Sequence, residues 1–160
     1  MFPNFIDGEF KKNYKNYIFQ SLLLFVCVSF ILLLYSLLGG IFVASLGASG
    51  FILFVTPHTN GSRSRNLIGG YICGAIAGIS FSLLYNHIPG LNLIFICASA
   101  SALTTFLMVT TNLVHPPAAA LALGLPADSA CVKTAMAAIV GVIILCTVRH
   151  ILKKYLKNLI

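Results

Sequence analysis

His115-Pro116-Pro117 is where reactive chemistry and backbone constraint coincide in this sequence. An imidazole both donates and accepts hydrogen bonds, and it titrates near neutral pH. Two successive prolines remove two backbone donors and cannot lie inside a helix, yet they suit its first turn. The residue before them is pushed out of the α region. A helix is therefore expected to start here, in the midst of an apolar sequence. Its N-terminal end would carry about half a positive charge and free N–H groups, a natural seat for an anion. A second stretch of this kind is Ser45-Leu46-Gly47-Ala48-Ser49-Gly50, small and glycine-rich, which resists a regular helix and precedes the strongly apolar Phe51 to Val55.

Two half-helices starting at these breaks and facing each other would form an anion site from backbone dipoles. The expected substrate-contacting residues are Ser45, Gly47, Ala48, Ser49, Gly50, Thr111, Asn112, His115, Pro116 and Pro117, with Thr110 as a further neutral donor. His115 has two readings. It is a neutral imidazole satisfying freed backbone groups, or it contacts ligand or carries a proton. Arg65 and Asn66 read first as an orientation signal and a helix cap, and second as an entrance for an anion.

Other chemistries are not supported. There is no nucleophile–base arrangement, phosphate loop or pair of carboxylates, so an enzyme is not expected. The five cysteines (Cys27, Cys73, Cys97, Cys131, Cys146) lack CxxC spacing and read as small buried apolar residues. His58, His87 and His150 fall in loops or at a helix end, so neither a metal site nor a cofactor is expected. Apart from Arg149, no Lys, Arg, Asp or Glu falls inside an expected span. Attraction from dipoles and one imidazole suits a small monovalent anion better than a polyvalent one.

The elements that must position these residues follow from composition. The chain of 160 residues is 59% hydrophobic and 8% charged, with a mean hydropathy of +0.98. Soluble domains carry roughly 25% charged residues, so this is an integral membrane protein forming one domain over residues 1–160. Residues 1–16 are polar, and the apolar run after them is too long for a cleaved signal. The charge of +7 sits mostly in Lys11, Lys12 and Lys15 before the first span and Arg149, Lys153, Lys154 and Lys157 at the end. Neither cluster resembles a nucleic-acid surface; both read as cytoplasmic flanks.

Long apolar spans are expected at about Tyr17–Leu38, Leu67–Tyr85, Leu91–Asn112 and Cys131–His150. Gly39-Gly40 ends the first. Gly70, Gly74 and Gly78 give the second a flat packing face. Short segments ending at Pro57 and Pro126 interrupt the series, each about ten residues after its break. The order long, short, long thus recurs over 17–86 and 91–150, as an inverted repeat. If the short segments cross the bilayer, Arg63 and Arg65 join both termini on the inside, as the positive-inside rule prefers. The expected fold is all-α: a polytopic membrane helix bundle with four long transmembrane helices and two broken, half-helical segments.

His115-Pro116-Pro117-Ala118 after Thr110-Thr111 resembles the signature of the HPP family of integral membrane proteins. Leu46-Gly47-Ala48-Ser49-Gly50-Phe51-Ile52-Leu53-Phe54 and Arg65-Asn66-Leu67-Ile68-Gly69-Gly70 are similar to two further segments of that family. The resemblance covers nearly everything after the first span. It implies about four transmembrane helices and transport of nitrite, in which the family is implicated in plastids and cyanobacteria. The chain departs from the family's pattern at Ala119, Leu121 and Tyr71, the last standing where a histidine is frequent. The expected function is transport of a small monovalent anion, nitrite first, in a bacterial inner membrane. The alternatives are a channel for a small neutral or weak-acid solute, or a non-transporting structural membrane protein. The expected partners are the bilayer, a small inorganic anion and further copies of the chain.

Overall fold

The structure is a computed structural model and describes residues 8–37 and 44–160. Among the described residues six α-helices follow one another: α1 Phe10–Leu37, α2 Ser45–Val55, α3 Ser64–His87, α4 Leu93–Thr110, α5 Pro117–Gly124 and α6 Cys131–Leu152. The four long helices are apolar and long enough to cross a membrane. Even the shortest, α4 with 18 residues, reaches about 27 Å at 1.5 Å per residue. No strand occurs among the described residues. The expected break at Gly39-Gly40 lies outside them.

Several boundaries correct the sequence reading. The polar segment before Tyr17 is already helical from Phe10, with a kink at Asn13. Its start is held by backbone bonds from Lys12 and Asn13 to the Glu9 carbonyl and by the Asn13 amide on the Glu9 carboxylate at 3.2 Å. The third element was expected to open at Asn66. It begins at Ser64, and Asn66 instead donates from its side chain to the Asn60 carbonyl at 3.2 Å. Asn92 does cap α4, accepting from the Ile94 N–H at 2.9 Å.

The largest correction concerns Gly47, Ala48, Ser49 and Gly50. They do not interrupt the chain: α2 runs from Ser45 straight through them. Glycine in a helix interior costs about 1 kcal/mol. α1 packs closely on α2 at Gly50, where an added Cβ would meet the end of the Leu24 side chain.

α3 is the central post. Its glycine face carries the α4–α5 connection and α5 itself. A Cβ on Gly70 would lie 2.9 Å from His115 Cβ, one on Gly74 only 2.6 Å from the Ala118 carbonyl oxygen, and one on Gly78 3.2 Å from Ala122 Cα. α5 therefore climbs α3 in parallel from the level of Gly70 to that of Gly78. α4 ends at the opposite face, where Asn112 shares a cavity with Arg63 and Arg65. The stretch from Asn112 to Asp128 thus runs from one end of the bundle towards the other, as a short non-helical lead, a half-helix and a 3-10 turn.

α2 descends in the contrary direction. Its Leu46 packs at Gly141, midway along α6, and its far end meets the C-terminal residues. There the Val55 carbonyl, one of the orphan acceptors of a helix end, takes the Leu159 N–H at 2.9 Å. Gln20 of α1 joins the same end, accepting from the Lys157 N–H at 3.1 Å and donating to the Phe54 carbonyl. The order long, short, long is therefore traversed twice, in opposite senses.

Nine of the ten lysines and arginines sit at one end of the bundle, on the first turns of α1, the α2–α3 loop and the end of α6. Lys133 alone stands at the other end. This basic face carries the start of α3 and the end of α4.

Candidate functional site

The two half-helices meet at their N-terminal ends. Ser45 and Ser49 lie one turn apart on α2 and so share a face. Tyr71 of α3 reaches between them: its phenol donates to Ser45 Oγ at 3.0 Å and lies 2.8 Å from Ser49 Oγ. Ser49 Oγ is also 2.8 Å from His115 Nε2. On its other side, His115 Nδ1 is 3.3 Å from the Gly61 carbonyl oxygen. The Tyr71 and His115 rings are 5.8 Å apart, tilted by 37°. Ser49, Tyr71 and His115 are all 0% exposed, so this polar chain is sealed inside apolar packing.

The protons of that chain can be counted. A carbonyl only accepts, so Nδ1 carries a proton towards Gly61. Tyr71 spends its single proton on Ser45. Ser49 has one proton and two neighbours that require it, His115 and Tyr71. With a neutral imidazole, one link lacks a proton. With both ring nitrogens protonated, every link is made. A fully linked chain thus needs one proton more than the neutral cluster holds, and no charged side chain is among its members.

The start of α5 is not a nest of free donors. Pro116 and Pro117 carry no N–H, and the next two N–H groups bond back to the His115 and Pro116 carbonyls at 3.0 Å each. The helix dipole remains, and the polar side chain at this end is His115, whose Cβ packs at Gly70.

A second group forms at the basic face. Asn60, Arg63, Arg65, Asn66 and Asn112 line a cavity of about 110 Å³. It adjoins the buried chain directly, because Gly61 follows Asn60 and His115 lies three residues beyond Asn112. Leu113, the residue after Asn112, packs on Gly69.

The expected residues thus fall into separate places. Ser45, Ser49 and His115 come together; Arg65, Asn66 and Asn112 come together elsewhere. Gly50 faces α1, Gly47 has nothing near it among the described residues, and Ala48 is exposed. Pro116 is exposed, while Pro117 is buried in the first turn of α5. The Thr110 and Thr111 hydroxyls return to carbonyls of their own helix, at Phe106 and Leu107, and join neither group.

Tyr71, the hub of the chain, was visible in sequence only as a departure from a pattern. Arg149 was read as part of a flanking charge cluster, yet it is buried. Its Nη2 donates to the Pro57 carbonyl and lies 3.4 Å from Ser62 Oγ, while its Nε has no partner. Among the described residues the acids are Glu9 and Asp128, and neither faces it. This fixed cation clamps the loop whose Gly61 holds His115. Arg149→Met should therefore lower thermal stability by about 1.5–3 kcal/mol, the worth of one bond from a charged donor, while the Pro57 carbonyl keeps the Ser62 hydroxyl at 2.7 Å. The offsetting relief of a buried, unpaired charge keeps the loss from being larger. Thermal melts in detergent, followed by circular dichroism, measure it.

Among curated proteins, a transmembrane protein of Dictyostelium discoideum is 36% identical over 85 residues, covering 52% of this chain and 29% of that relative. The chain therefore matches about three-tenths of the relative's length. No solved structure matches. The model of the HPP transmembrane region matches residues 9–158, nearly the whole sequence and every element described above. With four apolar spanning helices, two opposed half-helices and the His115-Pro116-Pro117 start of α5 all inside that match, the chain belongs to the HPP transmembrane family.

Proposed function

We propose that the protein carries a small monovalent anion across the membrane, with nitrite the first substrate on the family resemblance, and that a proton travels with it. The observation that supports this is the buried chain His115–Ser49–Tyr71–Ser45 at the meeting point of two half-helices. An anion alone in a low-dielectric interior is expensive. An added proton on the cluster offsets that charge locally, at the place where one hydrogen-bond link lacks a proton. Dipoles of α2 and α5 both point their positive ends there. The burial of all three central residues means that passage requires the Ser49–His115 contact to open. The basic face is the cytoplasmic one by the positive-inside rule, which places both ends of the described chain inside.

The test is flux into proteoliposomes loaded with a pH-sensitive dye. Nitrite influx should be saturable, rise as external pH falls, and acidify the lumen without a membrane potential. Uptake no faster than into protein-free vesicles across nitrite, nitrate, formate and chloride would defeat the proposal. Flux that is non-saturating and far faster than carrier turnover would point instead to a channel for the neutral acid.

A further inference from the structure

We propose that Asn60, Arg63, Arg65, Asn66 and Asn112 form a binding site for an oxyanion at the basic face, separate from the buried chain. The cavity they line, of about 110 Å³, holds two guanidinium groups and three carboxamides. Neither Glu9 nor Asp128, the acids among the described residues, lines it. Guanidinium forks match the paired oxygens of nitrite, nitrate or a phosphate group. Carboxamide N–H groups add neutral donors without regard to charge state.

Two features show that the arrangement runs against local preference. Arg63 is the residue that caps α3, and Arg65 lies in its first turn, where the helix dipole disfavours cations. Helix stability would place acids there, and the first turn of α3 has none. Asn112 sits at φ 55°, the sole non-glycine residue with positive φ among those described. Asparagine tolerates that conformation better than most residues. The turn places its carboxamide in the cavity rather than continuing α4.

The shared ligand chemistry is a small oxyanion, and it has two sources: a free anion awaiting transport, or the phosphate of a lipid headgroup. The site's use as an entrance rests on the transport reading above; the binding itself does not. The position is apt for an entrance, because the lining residues Asn60 and Asn112 belong to the two loops that carry Gly61 and His115.

The chain has three arginines, Arg63, Arg65 and Arg149, so arginine-selective ¹⁵N labelling gives three Nε–H signals. The full chain is placed in nanodiscs of phosphatidylcholine and titrated with sodium nitrite. In a second arm, phosphatidylglycerol replaces part of the lipid and nitrite is omitted. The Arg63 and Arg65 signals should shift saturably in at least one arm while the Arg149 signal stays in place. A response to nitrite assigns the free anion; a response to phosphatidylglycerol alone assigns the headgroup. Arg63→Gln should weaken the affinity reported by Arg65 by about tenfold, one charge-assisted bond's worth. Asn112→Gly, which keeps the positive φ and removes only the carboxamide, should weaken it by a smaller factor. An unmoved Arg149 signal in each variant certifies that the loop and α6 are intact. The proposal is overturned if neither arm gives saturation, or if all three signals drift together with ionic strength. Because no flux is read, a protein that moves no nitrite can still pass or fail this test.

Discussion

Gly74→Ala should lower the stability of the folded protein by about 3 kcal/mol, the upper part of the range for overpacking a close-packed interior. The added Cβ would lie 2.6 Å from the Ala118 carbonyl oxygen, a backbone atom that cannot rotate away. α3 and α5 would have to separate, and with them the ledge on which His115 rests. The matched control is Gly124→Ala at the end of α5, where an added Cβ meets nothing within 4 Å. That residue is helical, so the control should be neutral or gain several tenths of a kcal/mol. Melting curves of the two variants in the same detergent should diverge on opposite sides of the parent. Equal melting temperatures would mean that α5 does not pack on the glycine face as described.

The largest effect on function is expected from His115→Ala. It removes the group that connects Ser49 to the Gly61 carbonyl and the one side chain in the cluster able to take up a proton. On the proposed transport reading, losing one charge-assisted hydrogen bond to the ion, about 1.5–3 kcal/mol, should slow flux per folded molecule by roughly ten- to a hundredfold. The pH dependence of the remaining flux should flatten. Tyr71→Phe is the informative companion, because it keeps the ring and the packing but removes the hydroxyl that links Ser45 to Ser49, while Ser49 keeps its contact with His115. It should slow flux while leaving some pH dependence, since the imidazole survives. If His115→Ala melts earlier yet carries nitrite at the parental rate with the parental pH profile, His115 is structural and the transport route lies elsewhere.

Much of this architecture was legible in the sequence because the bilayer restricts the choices. A run of apolar residues long enough to span has few alternatives to a helix. The His115-Pro116-Pro117 start of α5 could be read from proline's missing donor alone, and the Gly70, Gly74, Gly78 face from its spacing. Gly47 to Gly50 misled for the opposite reason. Glycine's helix cost is local and small, and what packs on Gly50 is Leu24, more than twenty residues away in sequence. Tyr71 and Arg149 were hidden in the same manner. Their roles depend on which turn of α2 and which loop carbonyl fall beside them, and no local pattern encodes that. Thr110 and Thr111 lie apart from both groups because a hydroxyl in a membrane helix finds its nearest acceptor in its own preceding turn.

The two prolines at the head of α5 have one more consequence. A half-helix whose leading residues own no N–H presents the field of a dipole without the contacts that would trap an ion in it. Sites that hold anions tightly close many donors around them; the proposed site would offer attraction and a single imidazole. Tight binding and rapid release oppose each other, since dwell time lengthens as affinity grows. On the proposed transport reading, a head of alanines in place of Pro116 and Pro117 would give stronger capture and slower departure, so the His-Pro-Pro sequence would favour throughput over retention.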